Sequence, residues 1–184
     1  MSVTIHGHPM STWTRTARMA LLERGVDHAV QMPAFGQPEH ARVHPFRKMP
    51  ALETSDGLLR FESLAIGAWA DAMGAGVRLL PDAPEARSAV LQWYSAAVDY
   101  LYRPVVHGSD DAARDAGLDA LDAAYTGRTF LVGDGPTLAD LAIVPMLAWH
   151  AREQEGAARL AARPALVRVL RWWQGRPSFV ATAA

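Results

Sequence analysis

Apolar and polar residues alternate at the start of the chain, where Val3 and Ile5 stand between polar neighbours. That period of two predicts a short half-buried strand over residues 2–7, broken by Gly7 and Pro9. After a loop at 8–12 the period changes. Trp13, Ala17, Ala20 and Leu21 recur at helical spacing, and Arg24 followed by Gly25 is a stop signal. HAVQM, residues 28–32, reads as a second short strand, and the polar stretch 33–45 holds a loop and at most a short helix. ALET and LLRF then form a hairpin through Ser55, Asp56 and Gly57, and a helix runs from about Ser63 to Met73. The expected order is βαβ, loop, ββα with a proline entering the third strand, which is that of a thioredoxin-like half-chain.

The pattern shifts after this point. From Ala86 onward the chain is Ala-rich, helical in period and without a convincing strand, and the glycines and prolines of GAGVRLLPDAP, 74–84, mark the boundary. Helices are expected at 84–106, 111–125, 137–155 and 164–175. The fold class is therefore α+β: a thioredoxin-like domain over 1–76, a linker at 77–84 and an all-helical domain over 85–184.

Composition narrows the function. The formal charge of -1, with acids and bases interspersed, offers no basic face for nucleic acid and no polybasic segment for a membrane surface. No apolar run approaches a membrane span, and MSVTIHGHP lacks the form of a signal peptide, so a cytoplasmic protein is expected. With no cysteine, any thiol chemistry must use a sulfur brought by a ligand. The seven histidines do not make a metal site: His40 and His44 are four apart, but Pro45 disfavours helix at His44 and no carboxylate set completes a shell. No metal is expected.

Three short segments carry the candidate chemistry. In MPALE, Met49-Pro50 enters a strand. Trans is the default for such a bond, but a cis form would turn the Met49 backbone N–H and C=O toward an extended peptide ligand. In FES, Glu62 and Ser63 sit where a strand gives way to a helix, whose unpaired N–H groups suit a carboxylate. A plain N-cap serine explains the same residues. In GDGPTLAD, Thr137 and Asp140 have capping-box spacing and are read as a folding device.

GHPMSTWTR (7–15), QPEHARVHPFRKMPALE (37–53), RFESLAI (60–66) and GDGPTLADLAIVPML (133–147) together resemble the cytosolic glutathione transferase family, most closely the phi class among its serine-type members. The resemblance implies glutathione as co-substrate and Ser11 as the residue that stabilises its thiolate, with Thr12, and less readily Thr14, able to do the same job. It implies that Lys48, Met49 and Pro50 belong to the glutathione site, with a cis Pro50 and the Met49 backbone holding the cysteinyl part of glutathione, and that Glu62 and Ser63 bind its γ-glutamyl end. Phe35 and Gly36 stand where the phi class carries a His-Lys pair for the glycine carboxylate, leaving Lys48, Arg42 or His40 as substitutes. An apolar substrate pocket would draw on Trp13, Asp99, Tyr102 and Val106.

The activity so implied is addition of glutathione to small hydrophobic electrophiles, a detoxification reaction. Isomerase, dehalogenase or peroxidase chemistry on the same site, or a non-catalytic binding protein of the same fold, are the alternatives. The resemblance also implies a homodimer, for which the helix near Trp93 and Tyr94 is a candidate surface.

Overall fold

In a computed structural model, which describes residues 2–183, the chain divides into two compact units, Met1–Leu79 with Pro177–Ala184, and Leu80–Arg176. The first contains β1 (Val3–His6), α1 (Thr12–Glu23), β2 (Ala29–Gln31), α2 (His40–Val43), β3 (Ala51–Thr54), β4 (Leu59–Phe61) and α3 (Ser63–Met73). The four strands form one sheet in the order β2-β1-β3-β4, with β1 parallel to β2 and the other pairs antiparallel. This is the thioredoxin-like arrangement expected from the βαβ–ββα pattern.

Alternation explains its core. Val3, Ile5 and Leu52 turn to one face of the sheet and pack with Ala17 and Leu21 of α1 and with Ile66 and Ala70 of α3. The half-buried strand expected at the N-terminus is more covered than its period suggests, since His6 is also buried. Its Nε2–H donates to Glu53 Oε2 over 2.8 Å, and Arg42, from α2, donates to both oxygens of the same carboxylate. Those two partners hold the Glu53 carboxyl at about 2, well below its ordinary range. A short helix in the 33–45 stretch thus has a physical purpose: it supplies the cation that closes this ion pair.

The second unit is helical: α4 (Pro84–Ala96), a π-helical turn (Ala97–Leu101), α5 (Tyr102–His107), α6 (Asp111–Tyr125), α7 (Leu138–His150), α8 (Gln154–Ala161) and α9 (Pro164–Gln174). A last helix, α10 (Pro177–Ala181), packs against α1, so the helical half expected to run to residue 184 ends at Arg176 in this division. Arg15 donates to the Phe179 carbonyl over 2.9 Å and lies over the Phe179 ring, and Ser178 donates to Glu23.

Two helices expected to be continuous are broken. Pro104 has no N–H and its ring crowds the carbonyl four residues back, so the run 84–106 is interrupted by the π turn, where the Tyr102 N–H reaches back to the Ala97 carbonyl. The run 137–155 stops at His150 and restarts as α8. Asp140 is fully buried at the start of α7: Oδ1 accepts from the Tyr125 hydroxyl and the Leu131 N–H, and Oδ2 accepts from the Thr137 N–H and hydroxyl, all within 3.0 Å. The cap expected at Thr137–Asp140 therefore also ties α6 and the 126–137 loop to α7. Burial pushes the Asp140 carboxyl up from its ordinary value, and the four donors work against that rise.

Candidate functional site

Strand register brings three of the sequence segments to one end of the sheet. His6 stands opposite Ala51, and Ala51 opposite Phe61, so these residues form one row across β1, β3 and β4. The chain leaves β1 there toward Ser11, enters β3 there through Met49-Pro50, and leaves β4 there into Glu62 and Ser63. One side-chain contact joins the first two directly: the His8 N–H donates to Met49 Sδ over 3.4 Å. The Met49-Pro50 peptide bond is cis, and Met49 itself precedes the ladder, which begins at Ala51.

Ser11 is the N-cap of α1. Its backbone is extended (φ -71°, ψ 125°), and Oγ accepts from the Thr14 N–H over 3.3 Å. A hydroxyl that accepts a backbone N–H keeps its own proton to donate elsewhere. The first turn of α1 carries no acidic residue, so nothing in it neutralises the positive end of the helix dipole beside that hydroxyl. Gly7 lets α1 start so close to β1, since a Cβ there would overlap the Thr14 side chain. Thr12, by contrast, is 5 % exposed, with an Oγ1 that is buried and unpartnered, and Thr14 is completely buried. Trp13 is half-buried on the same helix.

At α3 the exposed Glu62 is the N-cap and has φ 69°, ψ 124°, a backbone region that costs a non-glycine residue about 1–3 kcal/mol. Its side chain makes no capping bond to the helix. Ser63 is buried at the first helical position, where the leading N–H groups have no helical acceptor.

The substitutes suggested for the glycine-carboxylate contact separate clearly. Arg42 is engaged by Glu53. His40 is 1 % exposed and donates Nε2–H to the Lys48 carbonyl over 2.9 Å. Lys48 is exposed and makes no ion pair with a carboxylate among the described residues, so it alone of the three presents a cation to solvent without an anionic partner. His8 was missed by sequence reasoning. Its Nδ1 accepts the Met10 N–H over 3.0 Å, fixing the loop between β1 and Ser11, and nothing in GHPMS distinguishes it from a surface histidine.

The remaining candidates lie in the second unit. Asp99, in the π turn, accepts from the Ser95 hydroxyl over 3.0 Å. The Tyr102 ring packs edge-on to His107 at 5.0 Å, with burial raising its phenol, and the Val106 carbonyl accepts the Trp149 indole N–H over 3.3 Å. Among the described residues no group of three or more His, Asp or Glu side chains could hold a metal ion, and no helix is long and apolar enough to cross a membrane.

A thioredoxin-like unit with a cis proline, a serine-capped first helix and a separate helical unit defines a recognisable class of protein. Residues 10–73 match the family described as glutathione S-transferase, N-terminal domain, and residues 110–175 match glutathione S-transferase, C-terminal domain. Glutathione S-transferase 3 of Zea mays is 30% identical in an alignment covering 98% of this chain and 92% of that protein. The chain belongs to the glutathione S-transferase family. Elongation factor 1-gamma of Homo sapiens is 36% identical over 135 residues, 62% of this chain, and the chain spans only 30% of that protein's length. A glutathione S-transferase from Methylobacillus flagellatus, solved with GSH bound, has the same fold, with a TM-score of 0.87 at 24% identity and 99% of each chain covered.

Proposed function

We propose that the protein is a serine-type glutathione transferase, of phi-class character, that activates glutathione and adds it to small hydrophobic electrophiles. The observation that carries this reading is the convergence, at one end of one sheet, of the Ser11 hydroxyl, the cis Met49-Pro50 bond and the α3 N-terminus at Glu62 and Ser63. In it, the Met49 backbone pairs with the cysteinyl part of glutathione, and Lys48 faces the glycine carboxylate. Ser63 and the leading α3 N–H groups take the γ-glutamyl carboxylate, while Glu62 faces its ammonium. Ser11 donates to the sulfur. Its exposure favours it over Thr12, whose oxygen is buried. Trp13 offers an apolar surface to the electrophile.

The energetics suffice. A free thiol of pKa about 8.5 is mostly protonated at neutral pH, and lowering it to about 6.5 needs roughly 2.7 kcal/mol. A hydrogen bond to the charged sulfur supplies about 1.5–3 kcal/mol, and the α1 N-terminus about 0.3–1. Titrating the protein with glutathione at neutral pH should produce the ultraviolet absorbance of a thiolate. Binding without that band would overturn the catalytic reading. The identity to a segment of elongation factor 1-gamma favours that second outcome, a non-catalytic binding protein of this family.

A further inference from the structure

The loop between β1 and α1 is short and held at both ends. Gly7, at its start, donates its N–H to the Gln31 carbonyl of β2 over 3.0 Å. Ser11, at its end, is fixed from the helix side: its carbonyl accepts the Arg15 N–H over 2.9 Å and its hydroxyl accepts the Thr14 N–H. From the loop side it is fixed by His8. The His8 carbonyl accepts the Ser11 N–H over 3.0 Å, which closes a four-residue turn with Pro9 in the second position, where a fixed φ favours a turn. Nδ1 of the same residue accepts the Met10 N–H over 3.0 Å, and the His8 N–H donates to Met49 Sδ over 3.4 Å.

The first position of such a turn favours Asp, Asn or Ser, whose side-chain oxygen can take the N–H two residues on. His8 does the same with a ring nitrogen. Nδ1 of histidine and Oδ1 of asparagine hang from the same Cγ and reach the same place, and an Nδ1 that accepts leaves the ring hydrogen on Nε2. The half-buried ring therefore serves the turn as an acceptor, while the His8 backbone ties that turn to Ser11 on one side and to Met49 on the other.

We propose that His8 is a positioning residue for the thiolate site, setting where the Ser11 hydroxyl stands relative to the Met49 backbone that pairs with the cysteinyl part of glutathione. This role rests on the proposed function. A hydrogen bond to sulfur depends on distance and direction, so a turn formed only part of the time gives the thiolate only part of the stabilisation that Ser11 can supply. His8 acts through Ser11 and not by contact with the substrate.

The test follows the ultraviolet thiolate absorbance of the glutathione-saturated protein across pH, which reads the pKa of the bound thiol in folded molecules alone. His8→Phe keeps a ring and removes the acceptor. It should raise that pKa by about half a unit or more, a smaller rise than the one to two units, roughly, that losing the Ser11 contact outright would give. His8→Asn puts an acceptor back at the same place and should return the pKa close to the wild-type value. His8→Ala, with neither ring nor acceptor, should behave like His8→Phe, and it carries the test if the phenylalanine ring prevents folding. A residue that only stabilised the fold would lower the melting temperature in these variants and leave the pKa unmoved. An unmoved pKa in the acceptor-free variants, or no restoration by His8→Asn, overturns the positioning role and leaves the proposed function standing. A wild type that binds glutathione without a thiolate band removes that function, and this role with it.

Discussion

Ser11 combines two tasks that are usually written as alternatives. As an N-cap its oxygen accepts the Thr14 N–H, and as a thiolate partner its proton would be donated outward. Ser11→Ala should therefore cost some helix stability, about 0.5–2 kcal/mol, and also the sulfur contact. Losing about 1.5–3 kcal/mol of preferential thiolate stabilisation raises the bound thiol by about one to two pKa units from about 6.5, so the thiolate fraction, and conjugation with it, should fall roughly threefold to twenty-fivefold near neutral pH. The loss should shrink as pH rises and the thiol ionises unaided. Rate measurements across pH check this, with Thr12→Ala as the comparison. An equal loss at every pH would remove the thiolate role and leave only the cap. Ser11 was legible only through the resemblance of GHPMSTWTR to the family, since the pattern of residues alone placed it in a loop before the helix. The resemblance put Ser11 first and left Thr12 able to do the same job; that the packing of α1 buries the Thr12 oxygen was not legible in the sequence.

Among the elements, the start of α3 shows most directly a local rule broken where the proposed ligand would sit. Glu62 has a positive φ with no capping bond from its side chain, so its own helix gains nothing visible from the strain. If the carboxylate faces the γ-glutamyl ammonium, Glu62→Ala and Glu62→Gly should both raise the apparent KM for glutathione well above any loss in kcat, because that end of the substrate lies far from the reacting sulfur. The two variants should differ in stability. Glycine tolerates this backbone and alanine does not, so Glu62→Gly should unfold at higher denaturant than Glu62→Ala, by about 1 kcal/mol or more. Unchanged glutathione affinity in both would leave the strain without a ligand to explain it. Neither the φ at Glu62 nor the break at Ala97–Leu101 is written in composition or period. Pro104 lies inside the helix expected over 84–106; whether a proline ends a helix or is absorbed in a π turn depends on what packs around it, and Pro145 sits inside α7 without ending it.

For the molecule as a whole, the chain divides between Leu79 and Leu80, within the 74–84 stretch of glycines and prolines, and the helical character of the second unit was readable from its apolar period. The return of α10 to the first unit was not, because it rests on long-range partners: Arg15 on Phe179, and Ser178 on Glu23. The same limit applies to the assembly. We propose a homodimer, and Tyr94, half of the surface suggested by sequence, is 2 % exposed and belongs to the core. The structure offers a different candidate. Phe35, His40, His44, Phe61 and Phe46 form a continuous series of ring contacts, and Phe46, at its end, is 71 % exposed. Tyr100 is as exposed, at 73 %, but its hydroxyl suits water, whereas Phe46 is a wholly apolar ring held in place by its neighbours. Covering such a ring is worth about 1.5–3 kcal/mol, and each 1.4 kcal/mol is about a factor of ten in affinity. Sedimentation at micromolar concentration should show a dimer, and Phe46→Ser should raise its dissociation constant about tenfold or more while Tyr100→Ser changes it little. A monomeric wild type rejects the dimer. A dimer indifferent to Phe46→Ser keeps the assembly but moves its contact to another face.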